Sequence, residues 1–121
     1  MDQAELLCLL DVNLNRAAEG LRTLEDISRV VRRDATASGW LKSLRHQLGE
    51  LAARIPRQQR LEARSVVCDA GTSLTSPGEL QREDWPAVIA AASERVTQSL
   101  RVVEEAGKRH YPDISAECKQ L

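Results

Sequence analysis

From Leu6 to Val31 the apolar residues Leu7, Leu10, Leu14, Ala17, Ala18, Leu21, Leu24, Ile27 and Val31 recur every three or four positions. That spacing predicts an amphipathic helix. Asp2 and Glu5 supply a capping pair at its start, while Asp11, Asn13 and Asn15 offer a second start, so one long helix and two shorter ones both fit. Asp34 to Gly39 reads as a polar break. Trp40, Leu41, Leu44, Leu48, Leu51, Ala52 and Ile55 then predict a second helix, ended by Pro56 and antiparallel to the first because the break is short. Gln58 to Arg64 suits a short helical turn. Between Ser65 and Gly78 every long period is lost, and Ser76-Pro-Gly-Glu79 has the cap and proline of a brief helix. Asp84 caps the last main helix, with Pro86 in its first turn and Val88, Ile89, Ala92, Val96, Leu100, Val103 and Ala106 on one face. Tyr111-Pro112-Asp113 breaks it. The pattern from Ile114 to Leu121 opens as a linker or another helix, which we expect to continue in a longer chain. The expected fold is all-α: a small antiparallel bundle of three main helices with short extra helices, occupying residues 1–113.

The two long helices echo each other. Asn15-Arg-Ala-Ala-Glu-Gly-Leu-Arg-Thr-Leu-Glu-Asp-Ile-Ser-Arg29 aligns with Glu94-Arg-Val-Thr-Gln-Ser-Leu-Arg-Val-Val-Glu-Glu-Ala-Gly-Lys108. Arg16, Leu21, Arg22, Glu25, Asp26 and Arg29 fall on Arg95, Leu100, Arg101, Glu104, Glu105 and Lys108. Convergence of two amphipathic helices explains part of this, since Arg, Glu and Leu all favour helices. The coincidence of signed charge with the apolar beat favours a repeat, and hence two helices related by a pseudo-twofold axis.

Composition narrows the function classes. The 121 residues are 42% hydrophobic and 29% charged, enough apolar material for one core and too much for a disordered tail. Seventeen basic and eighteen acidic side chains leave a charge of -1, which argues against a surface made for nucleic acid or anionic lipid. Aromatics are 2%, with no phenylalanine, so there is little on which to stack single-stranded bases. Cys8, Cys68 and Cys118 form no C-x-x-C pair and read as small buried hydrophobes in a reducing cytoplasm. The N-terminus has no basic n-region, and no stretch reaches the roughly 20 apolar residues of a membrane span.

Any chemistry must come from local clusters. Asn15, Glu19, Arg22, Asp26 and Arg29 form one polar stripe, and Glu94, Gln98, Arg101, Glu105 and Lys108 repeat it. A solvated ladder of weak ion pairs accounts for both stripes. So does a cleft in which arginines clamp phosphate oxygens and carboxylates hold a cation. Fourteen of the 17 basic residues are arginine, which leans slightly to the second, although a GC-rich codon bias would do the same. Asp11-x-Asn13-x-Asn15 starts like a calcium loop but has Arg16 at the turn glycine, so it is no EF-hand. A cap, a buried side-chain to backbone network and a ligand contact all stay open for it. Asp69-Ala-Gly-Thr72 permits close backbone approach to a phosphate or metal, though most such loops are turns. No P-loop, dinucleotide fingerprint or nucleophile elbow occurs. His46 reads best as a partly buried structural residue and His110 as a helix C-terminal charge; neither has the neighbours of a zinc site.

The run Asp11-Val-Asn-Leu-Asn-Arg-Ala-Ala-Glu-Gly-Leu-Arg-Thr-Leu-Glu-Asp-Ile-Ser-Arg29, with Leu44-Arg-His-Gln-Leu48, Asp69-Ala-Gly-Thr72, Thr75-Ser-Pro77 and Ser99-Leu-Arg-Val-Val-Glu-Glu105, resembles the helical domain fused ahead of some bacterial thiamine-phosphate synthases. Ala70 departs from it, where a larger aliphatic residue is expected. The resemblance implies a cytoplasmic kinase that uses ATP and magnesium to convert 4-amino-5-hydroxymethyl-2-methylpyrimidine phosphate to its diphosphate, followed by a synthase barrel after residue 121. It points to Asn13, Asn15, Arg16, Glu19, Glu25, His46, Gly71 and Thr72 as substrate contacts. On that basis we expect Arg22, Arg29 and Arg101 to clamp phosphate in one enclosed pocket, with Asp26 and Asp69 on magnesium. The competing expectation is a non-catalytic helical scaffold that forms a homodimer or docks on the barrel; nucleic acid and membrane are not expected partners.

Overall fold

The computed structural model describes residues 2–56, 58–59, 61–62, 84–108 and 111–120. Cys68, Asp69, Ala70, Gly71, Thr72, the brief helix expected after Ser76 and His110 lie outside them. Helix α1 runs uninterrupted over Gln3–Asp26. The Asp2 carboxylate accepts from the Glu5 N–H at 2.8 Å, and the Glu5 carboxylate accepts from the Asp2 N–H at 3.2 Å. This reciprocal cap starts the helix, and Asp11, Asn13 and Asn15 lie within it rather than starting another.

The chain leaves α1 through a π-helical turn, Ile27–Val31, in which the Arg32 N–H reaches the Ile27 carbonyl at 3.0 Å. The turn closes when the Asp34 N–H bonds the Ser28 carbonyl at 2.8 Å, with Arg33 at a left-handed φ of 53°. Glycine is the usual residue at that position after a helix, because a Cβ crowds the following carbonyl. Asp34 then caps α2, Ala35–Ala52, accepting from the Ala37 N–H at 3.0 Å. The polar break is therefore shorter than expected. Ala35, Thr36, Ala37 and Ser38 are helical although they carry no large apolar residue to reveal the period.

Helix α3, Trp85–Gly107, starts as expected on Asp84 with Pro86 in its first turn. The Asp84 carboxylate accepts from the Ala87 N–H at 2.9 Å. Helix α3 ends before Tyr111, as expected, and Pro112 opens a separate helix α4, Pro112–Gln120, where its missing N–H removes no helical bond. The Ser115 hydroxyl donates to the Glu104 carbonyl at 2.6 Å, and Ile114 and Cys118 enter the common core.

Two packing relations position everything else. Helix α1 is central, with α2 and α3 both packed on it and α4 packed on α3. Leu10, Leu14, Ala17, Leu48, Leu51, Ile55 and Val103 are almost fully buried where these helices meet. The α1–α3 crossing is close at Gly20, where a Cβ would lie 2.7 Å from Val96 Cγ2 and 3.0 Å from the Ala92 carbonyl oxygen. Further along, Leu6 and Leu9 share a groove with Arg101 and Val102, so the two helices run antiparallel. The register agrees with the repeat. Gly20 aligns with Ser99, and it meets Val96 and Ala92, the residues aligned with Ala17 and Asn13. Ser99, Ala17 and Asn13 are all buried, as an axis across the middle of the pair requires.

Candidate functional site

The antiparallel register decides where the charged stripes go. Arg22 lies one half-turn beyond Gly20, whereas Arg101 is level with the Leu6–Leu9 end of α1. The residues between Leu9 and Arg22 span roughly 20 Å at 1.5 Å per residue. Arg22 and Arg101 are equivalent by sequence and stand at opposite ends of the helix pair. They do not converge. Arg101 borders a shallow depression of about 200 Å³ between α3 and α4, together with Thr97, Glu104, Cys118 and Lys119, and neither Arg22 nor Arg29 lines it.

Within each stripe the repeat is visible in the ion pairs. Asp26 lies 3.4 Å from Arg22 Nε and 3.7 Å from Arg29 Nη2, and all three side chains are half exposed. On α3, Glu105 lies 2.9 Å from Lys108 Nζ, the aligned partner of Arg29, and this bond raises the lysine pKa. Asn15, Arg16 and Glu19 are exposed. His46 is also exposed rather than partly buried: Leu44 and Leu48 of α2 turn toward Leu21 of α1, and a residue midway between them on the helix turns away. Asn13 is interior, its amide donating to the Leu9 carbonyl at 2.9 Å, which is the buried side-chain to backbone reading of that residue.

Glu25 behaves differently from its neighbours. It is 8% exposed, and its carboxylate accepts from Arg45 Nε at 2.7 Å and Nη2 at 3.4 Å across the α1–α2 contact. The hydrogen bond from Arg45 holds the Glu25 carboxyl below its ordinary range; burial opposes this, while the charges of Arg45, Arg22 and Lys42 reinforce it. Arg45 is raised in turn, chiefly by its bond to Glu25, with a smaller contribution from Asp26. Arg22, Arg29, Lys42 and Arg45 therefore surround two carboxylates at one corner of the bundle, leaving an excess of positive charge there. Sequence reasoning assigned Glu25 to substrate and did not pair it with Arg45. The available signal was its position four residues after Leu21, on the apolar beat rather than on the polar stripe.

Of the two residues expected on magnesium, Asp26 lies at this corner and Asp69 lies outside the described residues. The two arginines at Asp26 compete for its oxygens, and among the described residues no three His, Cys, Asp or Glu side chains are grouped as a metal would require. Cys8 and Cys118 are buried, as expected, and burial with the charges of Glu104 and Glu117 pushes the Cys118 pKa up to about 11. Among the described residues no helix is long and apolar enough to cross a membrane.

The fold and the site define an all-helical bundle with an arginine-rich corner between α1 and α2. Comparison with known proteins identifies the family: residues 8–121 match the ThiD2 family, and the chain belongs to it. The chain is 43% identical over 111 residues to the thiamine-phosphate synthase of Rhodopirellula baltica, covering 92% of this chain and 30% of that protein. It is 41% identical over 113 residues to the thiamine-phosphate synthase of Thermosynechococcus vestitus, covering 93% of this chain and 31% of the relative. The chain thus spans about a third of the length of these relatives. No solved structure matches it.

Proposed function

We propose that this chain is the pyrimidine phosphate kinase region of a thiamine-phosphate synthase polypeptide, working in the cytoplasm. An oxygen of the phosphate on 4-amino-5-hydroxymethyl-2-methylpyrimidine phosphate attacks the γ-phosphorus of ATP. The bond from the γ-phosphorus to the β,γ-bridging oxygen breaks, and ADP leaves. The attacking group is already anionic near neutral pH, so the reaction asks for positive charge around the phosphoryl group more than for a proton-abstracting base. The observation that carries this reading is the gathering of Arg22, Arg29, Lys42 and Arg45 around Glu25 and Asp26. Magnesium enters as the companion of the nucleotide, since it is held largely by substrate phosphates and water in such reactions. Asp69 stays in the proposal as a magnesium ligand, and Gly71 and Thr72 as substrate contacts.

Incubation of the full chain with the pyrimidine phosphate, ATP and magnesium, followed by phosphorus NMR, should reveal a diphosphate. Arg22→Ala should lower turnover by about a hundredfold or more while helical circular dichroism is unchanged. Turnover at the wild-type rate in that variant would remove Arg22 from the clamp. Val30, Val31 and Trp40, exposed around the α1–α2 corner, favour a second reading: a non-catalytic scaffold that dimerises or docks on a synthase barrel. A dimer by light scattering with no diphosphate formed would support it.

A further inference from the structure

Arg22 and Arg29 are long side chains paired with the half-exposed Asp26. Arg45 is held differently. One edge of its guanidinium, Nε and Nη2, is held by the buried Glu25 carboxylate, while its side chain remains 26% exposed. A guanidinium has five N–H donors, and Glu25 engages two of them. Among the described residues Arg45 makes no other hydrogen bond. We propose that Arg45 is a pre-set donor to the phosphoryl oxygens of the ligand, and that Glu25 is the positioning residue that fixes it. This rests on the phosphate-handling reading above and adds to it a residue from α2, outside the repeated helices.

Preorganisation distinguishes Arg45 from its neighbours. Arg22 and Arg29 reach Asp26 at 3.4 and 3.7 Å with side chains more than half exposed, so binding must first immobilise them. Arg45 has already lost that freedom on folding, and its planar fork matches two phosphoryl oxygens at once. Arg22 and Lys42 lie close enough to act electrostatically on the same Glu25. A ligand with two linked phosphoryl groups could therefore meet the fixed fork with one and the mobile cations with the other. As a mere staple between α1 and α2, an apolar pair of similar volume would serve as well as this ion pair.

Titration calorimetry of the full chain with inorganic pyrophosphate, and separately with orthophosphate, tests this directly. Wild type should bind pyrophosphate more tightly than orthophosphate. The double variant Glu25→Met/Arg45→Met, which replaces the pair with side chains of similar length, should keep its helical dichroism and lose pyrophosphate affinity at least tenfold. Arg45→Lys, which keeps the charge and loses the fork, should lose several-fold, and it decides the question if the double variant does not fold. Glu25→Gln should weaken pyrophosphate binding through Arg45, and it should add no further loss in the Arg45→Lys background. Affinity within twofold of wild type in a folded Arg45 variant would overturn the assignment, as would no pyrophosphate binding by wild type. Arg45-dependent pyrophosphate binding without diphosphate formation from the pyrimidine phosphate would instead sink the kinase reading and leave the site standing.

Discussion

Glu25 and Glu19 are the same residue on the same helix, yet one is buried against an arginine and the other is exposed. The difference is phase: Glu25 falls on the side of Leu21, and Glu19 on the outer stripe. Phase could be read from the sequence; the partner could not, because Arg45 is 20 residues away and meets Glu25 only once α2 has docked. His46 and Asn13 show the same limit, since exposure depends on which helix covers which face. Because its folded pKa is depressed, Glu25 contributes stability that is present above its ordinary value of 4.5 and is lost as pH falls through the lower folded value. Urea midpoints measured at a series of pH values should therefore fall more steeply on the acid side for wild type than for Glu25→Gln. Parallel curves would show that the carboxylate draws no net stability from Arg45.

At the scale of elements, the apolar beat located all three long helices, and aspartate marked the start of each. The first turn of α2 was missed because Ala, Thr and Ser are helix-permissive but give no beat; Asp34 was the better guide. The π-turn was not legible either, since Ile27 and Val31 continue the spacing of an ordinary helix. Asp34→Ala should lower stability by about 1 kcal/mol by removing the acceptor from the Ala37 N–H. Asp34→Asn should change it little, because both side chains cap well. Equal urea midpoints for Asp34→Ala and wild type would show that the cap contributes nothing.

For the molecule as a whole, Gly20 controls how closely the two long helices approach. Replacing it by alanine should gain roughly 0.8–1.0 kcal/mol of helix propensity but lose about 1–3 kcal/mol to overpacking. The second effect should win, because one of the two contacts is backbone: the Ala92 carbonyl oxygen at 3.0 Å cannot rotate away. Gly20→Ala should lower the urea midpoint, and adding Val96→Ala should recover part of the loss by removing the Cγ2 contact at 2.7 Å. A midpoint unchanged by Gly20→Ala would mean that the helices can separate freely. The class of fold, the repeat and the family were legible from local pattern. The single enclosed arginine pocket was not, because pattern alone does not give the direction in which the second copy runs.

The crossing of α1 and α3 therefore limits what duplication can achieve. Two like segments laid head to tail about a central axis send their matching cations to distant poles, so copying the stripe spreads the field instead of concentrating it. A strong local potential has to be recruited from outside the copied unit, and α2, which brings Lys42 and Arg45 to one pole, breaks the balance between them.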